Sequence, residues 1–353
     1  MPEQLTTRAF FHRRAEQPTS PGEAELVVSP VGPDADLRAA LEDLKLGRYL
    51  AARDLLARTG ANWALRTTRS RLLAAGAGEG GVVKTWVDEE PGSADAWMMW
   101  ARVLTRAALA ALDRRESDAL LARAAGLARK ACWRTAVLNP SDPVPWVCLL
   151  HLTQLPFAAH HFDPRVRQRR VPWDLVSDPT MPHRGPWPLL AEVNWRDPGS
   201  REGHHRMREY FARHGGSAAS MNYACWMAAG RVDNPELLML PLYALMDRYK
   251  AQHGDGQRGA LRFWQTAQVA HYACKARDDW FLAVPPAERP WLPLLDLNHL
   301  AHALVACGED ARDVFEAMGP YATAQPWQEI NASLGRTYDW TAEFLRIRTA
   351  VLR

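Results

Sequence analysis

The chain has 353 residues, 47% of them hydrophobic and 24% charged, with a formal net charge of only +3. That apolar content can bury a large core, which excludes wholesale disorder, and so weak a net charge excludes a strongly basic nucleic-acid binder. No run approaches 18 apolar residues, so no membrane span and no membrane partner are expected.

Residues 1–34 carry no sustained periodicity and are interrupted by Pro18, Pro21, Pro30 and Pro33, which predicts an extended N-terminal arm, with 25–28 lying along the body. This arm has no apolar core of the secretory kind. The five cysteines (Cys132, Cys148, Cys225, Cys274, Cys307) are scattered, with no CxxC pair, and read as free thiols. Together these features predict a cytoplasmic protein.

From Asp34 the pattern becomes helical. Leu37, Ala40, Leu41 and Leu44 recur at helical spacing, Gly47 makes a turn, and Leu55 and Leu56 lie on a second helix that ends at Gly60. A third helix spans about 61–75, before a Gly-rich break at 76–81. That break has no GK[ST] after it and reads as a loop, not a phosphate cradle. A strong amphipathic helix begins at Ala96, and Ser117 can cap the next, which runs to about Val137. Asn139-Pro140 closes the unit and Trp146 opens another helix. Helix, short turn, helix and Pro stop is the grammar of stacked helical hairpins over 35–155.

Eleven of the 25 prolines fall between 140 and 198, and Trp173, Trp187 and Trp195 lie among them. Pro at that density prevents a long helix, so 156–200 is expected to be an irregular Pro/Trp-rich insert packed against the body. Helical patterns resume at 201–213 and 217–229, then at 235–252, 258–282, 294–306, 310–318 and 327–352. The expected fold is all-α: irregular stacked helical hairpins, with 201–353 forming further repeats or a bundle. No period-2 run is long enough to predict a strand.

Two stretches resemble the tetratricopeptide repeat. In that family a Pro ends helix B, an aromatic residue follows six positions later, and a bulky apolar residue three positions after that. Pro91, Trp97 and Trp100 match, and so do Pro140, Trp146 and Leu149. Ala128, Cys132 and Thr135 supply the compact positions of helix B, where small residues let helices approach. Gly47, Tyr49, Ala52 and Leu56 resemble helix B of a partial earlier repeat. The 49 residues between Pro91 and Pro140 exceed the regular repeat length, and Pro198 is followed by His204 where the aromatic would stand. The run from His204 to Tyr210, with Gly215-Gly216-Ser217 beyond it, is similar to helical-repeat proteins of actinobacteria. The scarcity of Lys (five of 43 basic residues) suits such a GC-rich source.

The resemblance implies a right-handed superhelix with a concave face lined by helix A. On this chain that face takes Asp95, Met98, Arg102 and Thr105, then Val144, Val147, His151 and Gln154, with His205 and Glu209 extending the row. It implies a scaffold that binds a protein or peptide in its groove, with a small molecule as the other candidate. The competing reading is an enzyme or ligand-binding accessory protein with a helical pocket lined by Trp, His and Arg. No cofactor and no metal are expected. Asp296-x-x-His299-x-x-His302 lacks the surroundings of a zinc site, adjacent pairs such as His160-His161 chelate poorly, and Asp278-Asp279 reads as local ion pairing with Lys275 and Arg277. Arg165, Arg167, Arg169 and Arg170 form the one basic run, flanked by acids, so nucleic acid is not an expected partner.

Overall fold

The computed structural model describes residues 25–156, 176–178, 181–230, 234–253, 259–336 and 339–353. The basic run 165–170, the His160-His161 pair and Trp173 lie outside them. Sixteen α-helices account for most of the described chain, and the strands are very short. The chain is all-α, as its periodicity predicts.

The first half is built of α1 (Ala35–Lys45), α2 (Leu50–Thr59), α3 (Trp63–Gly76), α4 (Gly81–Glu89), α5 (Ala94–Asp113), α6 (Asp118–Leu138) and α7 (Val144–Leu152). Side-chain caps start three of them. Asp34, Asn62 and Ser93 accept hydrogen bonds from the third residue beyond, satisfying amides that a helix start leaves open. The pair α5 and α6 forms the most extensive helix contact, and both pack on α7. The helix α4 was not evident from the sequence. Gly80 starts it in the left-handed region (φ 85°), against Val103 where a Cβ would clash. It buries Val83, Trp86 and Val87 on one side.

The Pro/Trp-rich stretch is only partly irregular. Strands β2 (Val176–Asp178) and β3 (Met181–Gly185) pair antiparallel, and α8 (Trp187–Arg196) follows. Pro186 and Pro188 stand at its start, where a missing amide costs nothing.

The second half contains α9 (Arg201–Ala229), α10 (Leu240–His253), α11 (Ala260–Trp264), α12 (Ala267–Ala276), α13 (Leu294–Cys307), α14 (Arg312–Met318), α15 (Trp327–Ser333) and α16 (Trp340–Leu352). The helix α9 is broken at Gly216 (φ 73°), between the two helical stretches that the sequence predicts. Gly203 lets its start lie close on α8, since a Cβ there would stand 2.8 Å from Val193 Cγ1.

Two features join the halves. The strand β1 (Val27–Val28) pairs in parallel with β4 (Tyr321–Ala322), so the N-terminal arm lies on the second half of the molecule. Arg38 reinforces this, donating to the carbonyl of Gly32 (2.6 Å) and to Tyr321 Oη (3.3 Å). Along the inside, α9 packs on α3, α7, α8 and α10. The buried apolar residues form one cluster that runs from Val31 to Phe344.

Trp146 is buried between elements. Its ring meets Trp133 edge-on (5.5 Å) and carries the Arg196 guanidinium at 4.4 Å. Trp146→Ala is expected to lower stability by about 3–5 kcal/mol in denaturant unfolding. A loss under about 1 kcal/mol would mean that this ring does not fill the seam between α6 and α7.

Candidate functional site

The inner side of the hairpins carries a row of charged residues from four helices. On α5, Asp95, Met98, Arg102 and Thr105 recur at three- and four-residue spacing and share a face. On α9, Glu202, Arg206 and Glu209 share one face, while Arg201, His205 and Arg208 share the next. The helices α3 and α7, with the turn after α7, bring Thr67, Ser70, Arg71, His151 and Gln154 to the same region.

Arg102 is buried and fully engaged. It makes a bidentate pair with Glu202 (Nη1–Oε1 2.6 Å, Nη2–Oε2 2.8 Å) and donates from Nε to Ser70 Oγ (3.2 Å) and from Nη2 to the Thr67 carbonyl (3.1 Å). Glu202 also accepts from Arg206 Nη2 (2.9 Å), whose Nη1 donates to both oxygens of Glu209 (3.0 and 2.8 Å). Gln154 Nε2 donates to Glu209 Oε2 at 3.0 Å, and His151 Nε2 lies 3.5 Å from the same oxygen. The result is a continuous chain of hydrogen bonds and ion pairs from α3 through α5 and α9 to the end of α7. Burial raises the Glu202 carboxyl, but Arg102 and Arg206 overcome that and hold it well below its ordinary value. Burial likewise opposes ionisation of Glu209, and Arg206, His151 and Arg208 bring it down to about 2.

A second group adjoins the first. Arg201 forks onto the fully buried Asp296 of α13, which also accepts from Tyr243 Oη at 2.5 Å. Arg208 pairs with Asp247 and lies over the Tyr243 ring at 5.7 Å. The His205 ring meets Tyr243 edge-on (4.5 Å), and Tyr243 faces His299 (4.2 Å).

Members of this assembly carry side-chain groups with no hydrogen-bond partner among the described residues. Arg71, half-buried, makes no hydrogen bond or ion pair among the described residues, although Glu202, Arg201, Arg206 and Arg102 all act on its charge. Burial lowers its pKa from the ordinary arginine value. His205 is 7% exposed, and its Nε2 has no hydrogen-bond partner among the described residues. Nε of Arg206 and of Arg208 are unpartnered in the same sense. Buried polar groups are nearly always hydrogen-bonded, so such a concentration calls for an explanation.

The ten residues predicted from the repeat pattern therefore fall in different places. Arg102, His151, Gln154 and Glu209 join one network, and His205 borders it. Asp95 sits apart, paired with Arg66, which also reaches the fully buried Asp142 at 2.9 Å. Met98 is core, and so are Val144 and Val147. Thr105 is buried with its hydroxyl unpartnered among the described residues. The implied groove face is thus covered within the chain: α5 packs on α3 and α7, α9 packs on α7, and Glu202 of α9 reaches Arg102. Sequence reasoning did not pick out Arg71, Glu202, Arg201, Arg206 or Tyr243. The Glu202–Arg206–Glu209 spacing was a legible signal for helical ion pairs, whereas nothing marked Arg71.

The other candidates resolve locally. His302 meets Trp264 (4.7 Å) and Trp327 (5.4 Å), and no cluster of three or more metal-ligating side chains occurs among the described residues. Asp279 and Asp278 pair with Lys275 (2.8 Å) and Arg277 (2.7 Å). No described helix is long and apolar enough to cross a membrane. No protein-family model matches the chain, and no curated protein matches it in sequence.

Five histidines are held neutral by burial. His151 is lowered to about 3 by burial and then by Arg206, and His204 and His302 to about 4 by burial. His205 and His299 are also well below the ordinary value, by burial first and by neighbouring cations next. As pH falls below about 6.5, only the unfolded chain takes up these protons, so stability falls with pH. Each histidine contributes up to about 1.4 kcal/mol per pH unit until its folded pKa is reached. Denaturant midpoints measured from about pH 7.5 to about pH 5 should drop steadily; a flat profile would contradict neutral burial.

Proposed function

We propose that the chain is a tetratricopeptide-like helical-repeat protein whose inner face holds a small ligand, and that this site does not take an extended peptide. The observation that carries this reading is a buried ion-pair network in which Arg71 and Nε2 of His205 have no hydrogen-bond partner among the described residues. A peptide groove needs side chains free along an open face. Here the face implied by the repeat pattern is packed against α3, α7 and α9, and Arg102, Gln154 and Glu209 are engaged within the chain. The reading sits between the scaffold and the Trp/His/Arg-lined pocket that the sequence suggests, and nothing favours catalysis over binding.

Native mass spectrometry of the gently purified full chain tests it, followed by denaturation and analysis of the released molecules. A small organic molecule at about one per chain, lost on denaturation, is the expected result. A chain that carries no small molecule and instead retains a stoichiometric protein partner would contradict it and return the inner face to peptide or protein binding.

A further inference from the structure

We infer that the outward face of α6 is a docking surface for an acidic amphipathic helix of a partner protein. This surface is separate from the inner face and independent of the ligand reading above.

The starting observation is the spacing of the exposed residues on α6. Leu120, Arg123, Leu127, Lys130, Arg134 and Val137 are all exposed, and they follow one another at alternating steps of three and four residues. That alternation is the repeat by which one helix pairs with another along a seam. At 1.5 Å per residue the seam runs for about 26 Å. The opposite side of α6, from Leu121 to Thr135, is already buried, and α6 packs on α5 and α7. The outward apolar residues add nothing to that packing: Leu120 is 51% exposed, Leu127 47% and Val137 70%. Single surface leucines are ordinary, whereas here the apolar residues share one seam of one helix.

Gly126 supports the same reading. It stands three residues after Arg123 and four before Lys130, so it borders the seam. A Cβ there would meet nothing within 4 Å, and its φ is not positive. Neither packing nor backbone geometry requires glycine, which weakens a helix interior. Its missing side chain leaves room for another backbone to approach.

Charge decides the occupant. A surface helix gains from acids three or four residues from its cations. The only acid of α6 is Asp118 in its first turn, and it stands at neither distance from Arg123, Lys130 or Arg134. A partner helix with Glu or Asp opposite these cations and apolar residues opposite Leu120, Leu127 and Val137 satisfies the whole seam. The long stems of Arg and Lys add apolar cover to it. A second copy of this face would set cations against cations, which opposes self-pairing. A lipid surface takes a helix whose broad apolar face is set apart from its charged face, whereas here the two kinds of residue alternate along one narrow stripe.

The test is fluorescence anisotropy of a labelled, designed helix of about three heptads, titrated with the full chain. The probe carries Leu and Glu in alternation along its seam, and the control carries Lys in place of each Glu. Sedimentation of the chain with phosphatidylserine–phosphatidylcholine vesicles runs beside it. The expected result is saturable one-to-one binding of the acidic helix, with none for the Lys helix or the vesicles. Reversing Arg123, Lys130 and Arg134 together to Glu should weaken the acidic helix at least about 10-fold and create binding of the Lys helix. Leu127→Gln, at an exposed position, should weaken binding about 3- to 10-fold with the melting temperature unchanged. It keeps the test decisive if the triple reversal fails to fold. Absence of saturable binding of the acidic helix overturns the proposal, and so does equal binding of both helices or binding unaffected by Leu127→Gln. Vesicle binding that the triple reversal abolishes overturns it in favour of a lipid surface. A dimer of the chain that the same reversal dissociates overturns it in favour of self-association.

Discussion

The bidentate pair between Arg102 and Glu202 is the contact on which the interior depends. It joins α5 to α9 across 100 residues of chain, with both side chains about 6% exposed. A buried ion pair of this kind contributes little net stability, because desolvation of both charges offsets most of the attraction. Its effect is on geometry. With Arg102 held by Ser70, Thr67 and Glu202 together, α9 can seat in one register against α3 and α5. Arg206, one turn beyond Glu202, then falls between Glu202 and Glu209, and Glu209 reaches Gln154 in the turn after α7. The inner face is closed by electrostatics as much as by apolar packing.

Much of the helical grammar was legible. The breaks at Gly60, Pro91 and Pro140 and the gap between 213 and 217 all separate or interrupt helices in the structure. Two helices were missed, and both lie where a breaker residue starts a helix. Gly80 and Pro186 read as loop signals because their usual role is to stop regular structure. Here Gly80 takes the positive φ that turns the chain into α4, and Pro186 precedes a first turn that tolerates Pro188. The row Val83, Trp86, Val87 was the available evidence for α4. The contact between β1 and β4 was beyond reach, since a two-residue strand leaves no periodic trace.

The site was legible in its members and not in its state. Spacing placed Arg102, His151, Gln154 and Glu209 on inward faces, and the structure brings them together. What spacing could not supply was the partner of each charge. Arg102 read as a groove residue because a polar side chain on an apolar face is either functional or paired, and its partner lies 100 residues away. Arg71 illustrates the converse. It stands on α3 among ordinary surface-like polar residues, and only the saturation of its neighbours makes it conspicuous. Its lack of a partner among the described residues shows only once the pairings of its neighbours are known.

The claim that α9 closes the inner face is tested most directly by native-state hydrogen exchange of the full-length chain. If the face is closed, amides in the first part of α9, from His205 to Arg213, exchange only through the same global opening that exposes α5. Exchange in that segment orders of magnitude faster than in α5, at a pH where the chain is fully folded, would show that α9 lifts away readily. The inner face would then be an open groove, and the interior ligand site would lose its basis.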